Sequence, residues 1–126
     1  MDKTNQHLSS RILSFKYAFE GLKAAISEEP NLKIHLLIGV LVIFAGFYFN
    51  ISKLNWIIIV ILIGLVISVE LTNTAIEAVV DYCIQQQHNG AKMAKDISAA
   101  AVLVVSITAA VIGLIIFLPY LGVSII

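Results

Sequence analysis

Trp56-Ile57-Ile58-Ile59-Val60-Ile61-Leu62-Ile63-Gly64-Leu65-Val66-Ile67-Ser68-Val69-Glu70 decides how this chain is to be read, because no charge interrupts the stretch before its last residue. A run this apolar, continuing as helix through about Val80, is long enough to cross a hydrocarbon core of roughly 30 Å. Two further runs flank it. Residues 33–49 end in the aromatic group Phe47, Tyr48 and Phe49, and residues 97–118 are stopped by Pro119. With 60% of its 126 residues hydrophobic, 13% charged and a mean hydropathy of +0.97, the chain cannot be solvated as a soluble domain over most of its length. The expectation is an all-α membrane protein with transmembrane helices at 33–49, 55–80 and 97–118.

Ahead of these spans, Leu8, Ile12, Phe15, Phe19, Leu22 and Ile26 recur every three or four residues, with Arg11, Lys16, Glu20 and Lys23 between them. That periodicity predicts an amphipathic helix over 8–28 lying on the membrane surface. Pro30 forbids its undisturbed continuation, and Glu28, Glu29 and Asn31 form a polar corner before the first span. Residues 1–32 are too polar for a secretory signal, so no segment looks removable. The connections are short and no repeat is visible, which predicts a single membrane domain over 1–126.

Eight basic residues balance eight acidic ones, which gives no reason to expect nucleic acid. Their placement is informative. Seven of the eight positive charges lie before the first span or in the gap after the second, Lys53 lies in the first gap, and none follows Lys95. The N-terminus is therefore expected inside and the C-terminus outside. Cys83 has no partner for an internal disulfide and is read as a reduced thiol without assigned chemistry. Small residues in the third span, among them Ala99, Ala100, Ser106, Ala109 and Gly113, allow close helix approach and suggest a homo-oligomer.

Chemistry is concentrated at the inner end of the second span. Glu70, Asn73, Thr74, Glu77 and Asp81 fall at offsets of 0, 3, 4, 7 and 11 and share one helix face. If the helix enters at Asn55, Glu70 lies about 22 Å along it and Glu77 about 33 Å, so Glu70 is just under the inner surface and Glu77 at it. A carboxylate at such depth is costly and points to function. Glu70 suits a general base taking a proton from a lipid hydroxyl at headgroup depth. Glu77 suits a Mg²⁺ ligand, with Glu29 on the surface helix as a second, because Mg²⁺ usually takes one or two carboxylates along with nucleotide phosphates. Lys95 supplies a cation for phosphate charge, and Asp96 an acid for a metal or a hydroxyl. Phosphoryl transfer depends mainly on positioning and charge neutralisation, so a site this spare is sufficient.

Plainer readings stand beside this one. Glu70 and Glu77 would pair with Lys95 and Lys92 to hold helices together, and Asn73 would be interhelical glue. His35 reads as a hydrogen-bonding residue at the interface and His88 as a solvated loop residue. Tyr17, Lys16 and Lys23 fit an interfacial surface facing lipid headgroups. Two rival functions use the same residues: a proton- or cation-coupled transporter with Glu70 as its ion site, or a non-catalytic membrane subunit. No phosphate loop of the G-x-x-x-x-G-K-[ST] type and no protein-kinase motif set occurs.

Glu70-x-x-Asn73-x-Ala75-Ile76-Glu77-x-x-Val80-Asp81, followed by Ala94-Lys95-Asp96 and Ala99-Ala100-Ala101-Val102-Leu103, resembles the bacterial integral-membrane diacylglycerol kinase and undecaprenol kinase family. The likeness extends upstream through Tyr17, Gly21-Leu22-Lys23-Ala24-Ala25 and Glu29, covering nearly the whole chain. The resemblance implies a homotrimer in the bacterial inner membrane with composite sites facing the cytoplasm, moving the γ-phosphate of MgATP to the hydroxyl of diacylglycerol or undecaprenol. By the same resemblance Glu70 is the catalytic base, Glu29 and Glu77 hold magnesium, Tyr17, Lys95 and Asp96 contact ATP, and Asn73 lines the lipid substrate's site. The likeness weakens in Ile84-Gln85-Gln86-Gln87-His88-Asn89-Gly90, where more acidic character belongs, and before Tyr17. Asn31-Leu32-Lys33-Ile34-His35-Leu36 resembles the undecaprenol-using branch.

Overall fold

The structure is a computed structural model that describes residues 3–124; residues 1–2 and 125–126, the ends of the expected 1–126 domain, lie outside the described residues. Four α-helices follow one another: α1 (Lys3–Glu28), α2 (Pro30–Tyr48), α3 (Lys53–Cys83) and α4 (Asn89–Phe117), with a final 3₁₀ turn at Leu118–Leu121. Among the described residues, three segments are long and apolar enough to cross a membrane: Pro30–Tyr48, Lys53–Cys83 and Asn89–Leu121.

The helix ends show how the sequence writes them. Pro30 takes the first position of α2, where its missing N–H costs nothing, and Glu29 is the only residue between α1 and α2. Across that corner Lys33 donates to the carbonyl of Ser27 at 3.3 Å, satisfying an otherwise free group at the end of α1. Ser52 caps α3 by accepting from the backbone N–H of Asn55 at 3.2 Å, and His88 caps α4 by accepting from that of Gly90 through Nδ1 at 3.0 Å. His88 is exposed, as expected, and also fixes where α4 begins.

The helices outrun the spans expected from hydropathy. The surface helix begins at Lys3 rather than 8, the first span at Pro30 rather than 33, and α4 at Asn89 rather than 97. Hydropathy marks where a helix enters lipid, whereas helix formation continues into water wherever caps and good helix formers allow it. At 31 residues α3 is about 46 Å long, well beyond a 30 Å core, so its polar end projects past the apolar layer.

Between α2 and α3 the chain turns within a few residues. Asn50 has a φ of 50°, a left-handed conformation that asparagine tolerates, and it donates to the carbonyl of Phe47 while Ile51 donates to that of Gly46, each at 3.2 Å. Gly46 faces Trp56 so closely that a Cβ there would sit 2.7 Å from the indole ring. Beside this turn, buried Ile51, Ile59 and Ile116 form the core, packed by Trp56, Phe49 and Phe117. The α3–α4 pair makes the most extensive helix interface, with α2 against α3 next. Most of α1 stands clear of the other helices: Leu8, Ile12, Phe15 and Phe19 are exposed, and only its last turns, from Leu22 on, are partly covered.

Candidate functional site

The polar face of α3 turns inward. Glu70 is only 2% exposed and Asn73 only 9%, while Glu77 is half-buried and Asp81 exposed, so burial falls steadily toward the helix end. The decline follows from the 3.6-residue period: the same stripe runs out of the interface with α2 and α4 and into the layer beyond the apolar core. Thr72 and Thr74 turn their hydroxyls back to the carbonyls of Ser68 and Glu70 and take no part in the stripe's interhelical bonds.

Beyond Glu70, the side chains of Asn73, Glu77 and Asp81 each have a definite partner. Asn73 donates through Nδ2 to Glu77 Oε1 at 3.3 Å and accepts through Oδ1 from the Ser98 hydroxyl of α4 at 2.7 Å. Lys95 donates to Asp81 at 2.8 Å, and Lys92 pairs with Asp96 one turn along α4. The pairing of Glu70 and Glu77 with Lys95 and Lys92, expected on a purely structural reading, is not what forms. The lysines go instead to the exposed acids, which are nearer in height and need no desolvation.

Glu70 stands apart. Its Oε2 is buried and receives no hydrogen bond from any group among the described residues, where the cation-capable atom beside it is Nε2 of His35, 4.0 Å away on α2. Glu29 and Glu77 are both close enough to Glu70 to act on its charge. A buried carboxylate oxygen without a donor is expensive, which makes it a candidate functional group. His35, read from sequence as an interface residue, lies inside the site because one turn of α2 carries it from the Pro30 corner to the level of Glu70. Its exposure is 20%.

Two recesses adjoin this arrangement. An apolar cavity of about 490 Å³ runs between α2, α3 and α4 from His35 past Gly39, Ile63 and Ser106 to Phe117. A second, more open recess of about 550 Å³ lies between the end of α3, the 84–88 loop and the start of α4, with Asp81 and Lys92 on its wall.

Of the residues singled out by sequence, Glu70, Asn73 and Glu77 are gathered on α3, with Glu29 within electrostatic reach of Glu70 and Glu77 within that of Lys95. Tyr17 is 63% exposed on the free part of α1, its hydroxyl without a hydrogen bond among the described residues, and Asp96 is engaged by Lys92. Ser98 and His35 were missed as site residues. Neither belongs to a periodic polar stripe, and only the packing of α4 and α2 onto α3 brings them there. No cluster of three or more possible metal-ligating side chains occurs among the described residues. The donor set available, Glu29 and Glu77, is all oxygen, and one or two carboxylates are what a nucleotide-borne Mg²⁺ normally takes from protein, so the residues fit that ion.

The family model for prokaryotic diacylglycerol kinase matches residues 16–117. The undecaprenol kinase of Bacillus subtilis (strain 168) is 42% identical over 108 residues, which cover 86% of this chain and 88% of that protein. The diacylglycerol kinase of Synechocystis is 38% identical over 109 residues, 86% of this chain but only 62% of that relative's length. The diacylglycerol kinase of Escherichia coli (strain K12) is 29% identical over 106 residues, covering 84% of this chain and 87% of that one.

Proposed function

We infer the reaction from one premise: this chain belongs to the prokaryotic diacylglycerol kinase family and is a lipid kinase. That membership sets aside the transporter and accessory-subunit readings. We propose that it moves the γ-phosphate of ATP to the primary hydroxyl of a membrane lipid alcohol, diacylglycerol or undecaprenol, at a site facing the cytoplasm. The observation that carries this reading is the buried, unpartnered Oε2 of Glu70 at the edge of the apolar layer.

In the proposed mechanism the lipid hydroxyl donates its proton to Glu70 Oε2 as its oxygen bonds to the γ-phosphorus. The bond from that phosphorus to the β–γ bridging oxygen breaks, and ADP leaves. Burial keeps water from competing for the same base. The apolar cavity beginning at His35 suits the acceptor's hydrocarbon chain, which supports a lipid over a soluble alcohol. About 10 Å further along α3, Glu77 faces the polar layer where the triphosphate would lie, and Glu29 comes from the α1–α2 corner. These two would hold Mg²⁺, which supplies neutralisation of phosphate charge when bound. Lys95 adds a positive charge on α4 once it exchanges Asp81 for phosphate oxygens. Tyr17 and Asp96 are proposed as further nucleotide contacts and Asn73 as lining the lipid's site. The excess of positive charge around α1 and the 84–95 region supports an inside N-terminus. The exposed small residues Ala99, Ala100 and Ala101 on α4, which allow close helix approach, support assembly into a homotrimer of single-domain subunits.

The test is γ-phosphate transfer from labelled ATP with Mg²⁺ by the purified protein in detergent micelles, with diacylglycerol and undecaprenol offered in parallel. Label in either lipid supports the proposal and identifies the acceptor. Absence of label in both, from folded monodisperse protein, overturns it.

A further inference from the structure

We propose that Ser98 is a positioning residue for the nucleotide's metal: through Asn73 it fixes the direction of the Glu77 carboxylate. The inference rests on the reading of Glu77 as a metal ligand.

The argument is one of donors and acceptors. The Glu77 carboxylate only accepts, so the group of Asn73 that meets Oε1 at 3.3 Å is the NH₂. The carbonyl end of the same amide therefore points to α4. Asn73 is 9% exposed, and a buried carbonyl oxygen needs a donor. The Ser98 hydroxyl, itself on a residue 8% exposed, stands 2.7 Å away.

That hydroxyl has one proton and two acceptors in reach, Asn73 Oδ1 and the Lys95 carbonyl at 2.9 Å. Inside α4 the Lys95 carbonyl is already served by the helical backbone, so the proton belongs to Asn73. The chain Ser98–Asn73–Glu77 then has a single consistent direction, with every proton assigned. Without the hydroxyl, Asn73 Oδ1 is left buried and unpaired. A flip of the amide would set that oxygen against the Glu77 carboxylate, so neither orientation satisfies both ends. Glu77 loses its fixed position, and metal held jointly with nucleotide phosphates binds more weakly, as follows when outer-shell partners of metal ligands are removed.

Mn²⁺ serves as a spectroscopic stand-in for Mg²⁺, titrated by electron paramagnetic resonance against the full-length protein with a non-hydrolysable ATP analogue. Ser98→Ala is expected to weaken Mn²⁺ binding by about three- to tenfold, below the roughly 10–100-fold of a direct outer-shell partner because Ser98 stands one residue further out. Ser98→Thr, which keeps the hydroxyl, should return binding to within about twofold of the parent, and Ser98→Cys, a weak donor, should fall between. In an Asn73→Ala background, Ser98→Ala should add nothing, whereas a role in helix packing alone would add its own loss. Unchanged Mn²⁺ binding in Ser98→Ala, failure of threonine to rescue, or additivity with Asn73→Ala overturns the proposal. Glu77→Gln separates the two levels. If it weakens Mn²⁺ binding and Ser98→Ala does not, the positioning role alone fails; if it leaves Mn²⁺ binding intact, the ligand reading beneath fails.

Discussion

Where α2 turns into α3, Gly46 presses against Trp56, the tilted ring of Phe47 lies 4.8 Å from the same indole, and Phe49 meets both Phe117 and Tyr120. The turn there needs only Asn50 in a left-handed conformation and a pair of backbone hydrogen bonds. At the opposite end of the bundle α3 and α4 are joined by the exposed 84–88 loop, and the helices meet through Ser98, Asn73, Lys95 and Asp81. One end is closed by apolar contact and a short turn, the other by a few directional bonds around a carboxylate oxygen that has none. Rigid packing at the aromatic end holds the three helices in register. That register lets the polar end keep an unpartnered Glu70 without collapsing around it. The comparison predicts that replacing the unpartnered Glu70 at the polar end changes chemistry and leaves stability, and that substitutions at the aromatic end do the reverse.

The largest effect should come from Glu70→Gln. It keeps the shape and removes the proposed proton acceptor, so kcat for lipid phosphorylation should fall by about 10²–10⁴-fold, the usual worth of a general base. Binding of a non-hydrolysable ATP analogue should persist, because the proposed nucleotide contacts are on other residues. The melting temperature in detergent should not fall, since the carboxylate's Oε2 has no hydrogen bond to lose. Turnover at the parent's rate would remove Glu70 from the mechanism, and a large loss of melting temperature would break the division of labour between the two ends.

Gly46→Leu probes the other side of the comparison. A Cβ would already meet Trp56 at 2.7 Å and Ile51 at 3.2 Å, so a leucine must push apart α2 and the start of α3. Overpacking of this kind costs about 1–3 kcal/mol. The melting temperature should drop clearly, whereas kcat of the protein that remains folded at low temperature should stay within about twofold of the parent. A stable Gly46→Leu protein would mean that the aromatic end is looser than its contacts imply. A stable fold combined with lost activity would show coupling between the ends.

The two ends also differ in how far they can be read from sequence. Apolar runs, Pro30 and the aromatic group at 47–49 announce the spans and the far interface, because these are properties of composition and local backbone. The stripe from Glu70 to Asp81 is equally legible, being a matter of helical period. What escapes is whatever depends on a second helix. Ser98 lies 25 positions from its partner Asn73 and looks like one more small residue in a helix rich in them. His35 looks like an interface residue until α2 is laid against α3. Lys95 takes Asp81 rather than a glutamate because of how the 84–88 loop sets α3 against α4, and no periodicity encodes that height.

The smallest expected effect sharpens the comparison most finely, because it concerns a bond that the proposed contact of Lys95 with the nucleotide would break. Lys95 and Asp81 are 35% and 56% exposed, so their ion pair sits in water, where such contacts are weak and screened by salt. If Lys95 serves the triphosphate, Asp81 competes with ATP for it. Asp81→Asn should then lower the KM for ATP by about two- to fivefold at low ionic strength, the range such exposed pairs span, with kcat unchanged. The difference from the parent should shrink as salt is raised, since both the pair and the phosphate contact are screened. A steady-state series in ATP at several salt concentrations measures this. A KM that rises instead would make Asp81 the residue that holds Lys95 in place for the nucleotide, and the ion pair would then belong to the site in the same sense as the Ser98–Asn73–Glu77 chain. A KM indifferent to both the substitution and salt would place Lys95 outside the phosphate contacts and leave the positive charge there to another residue.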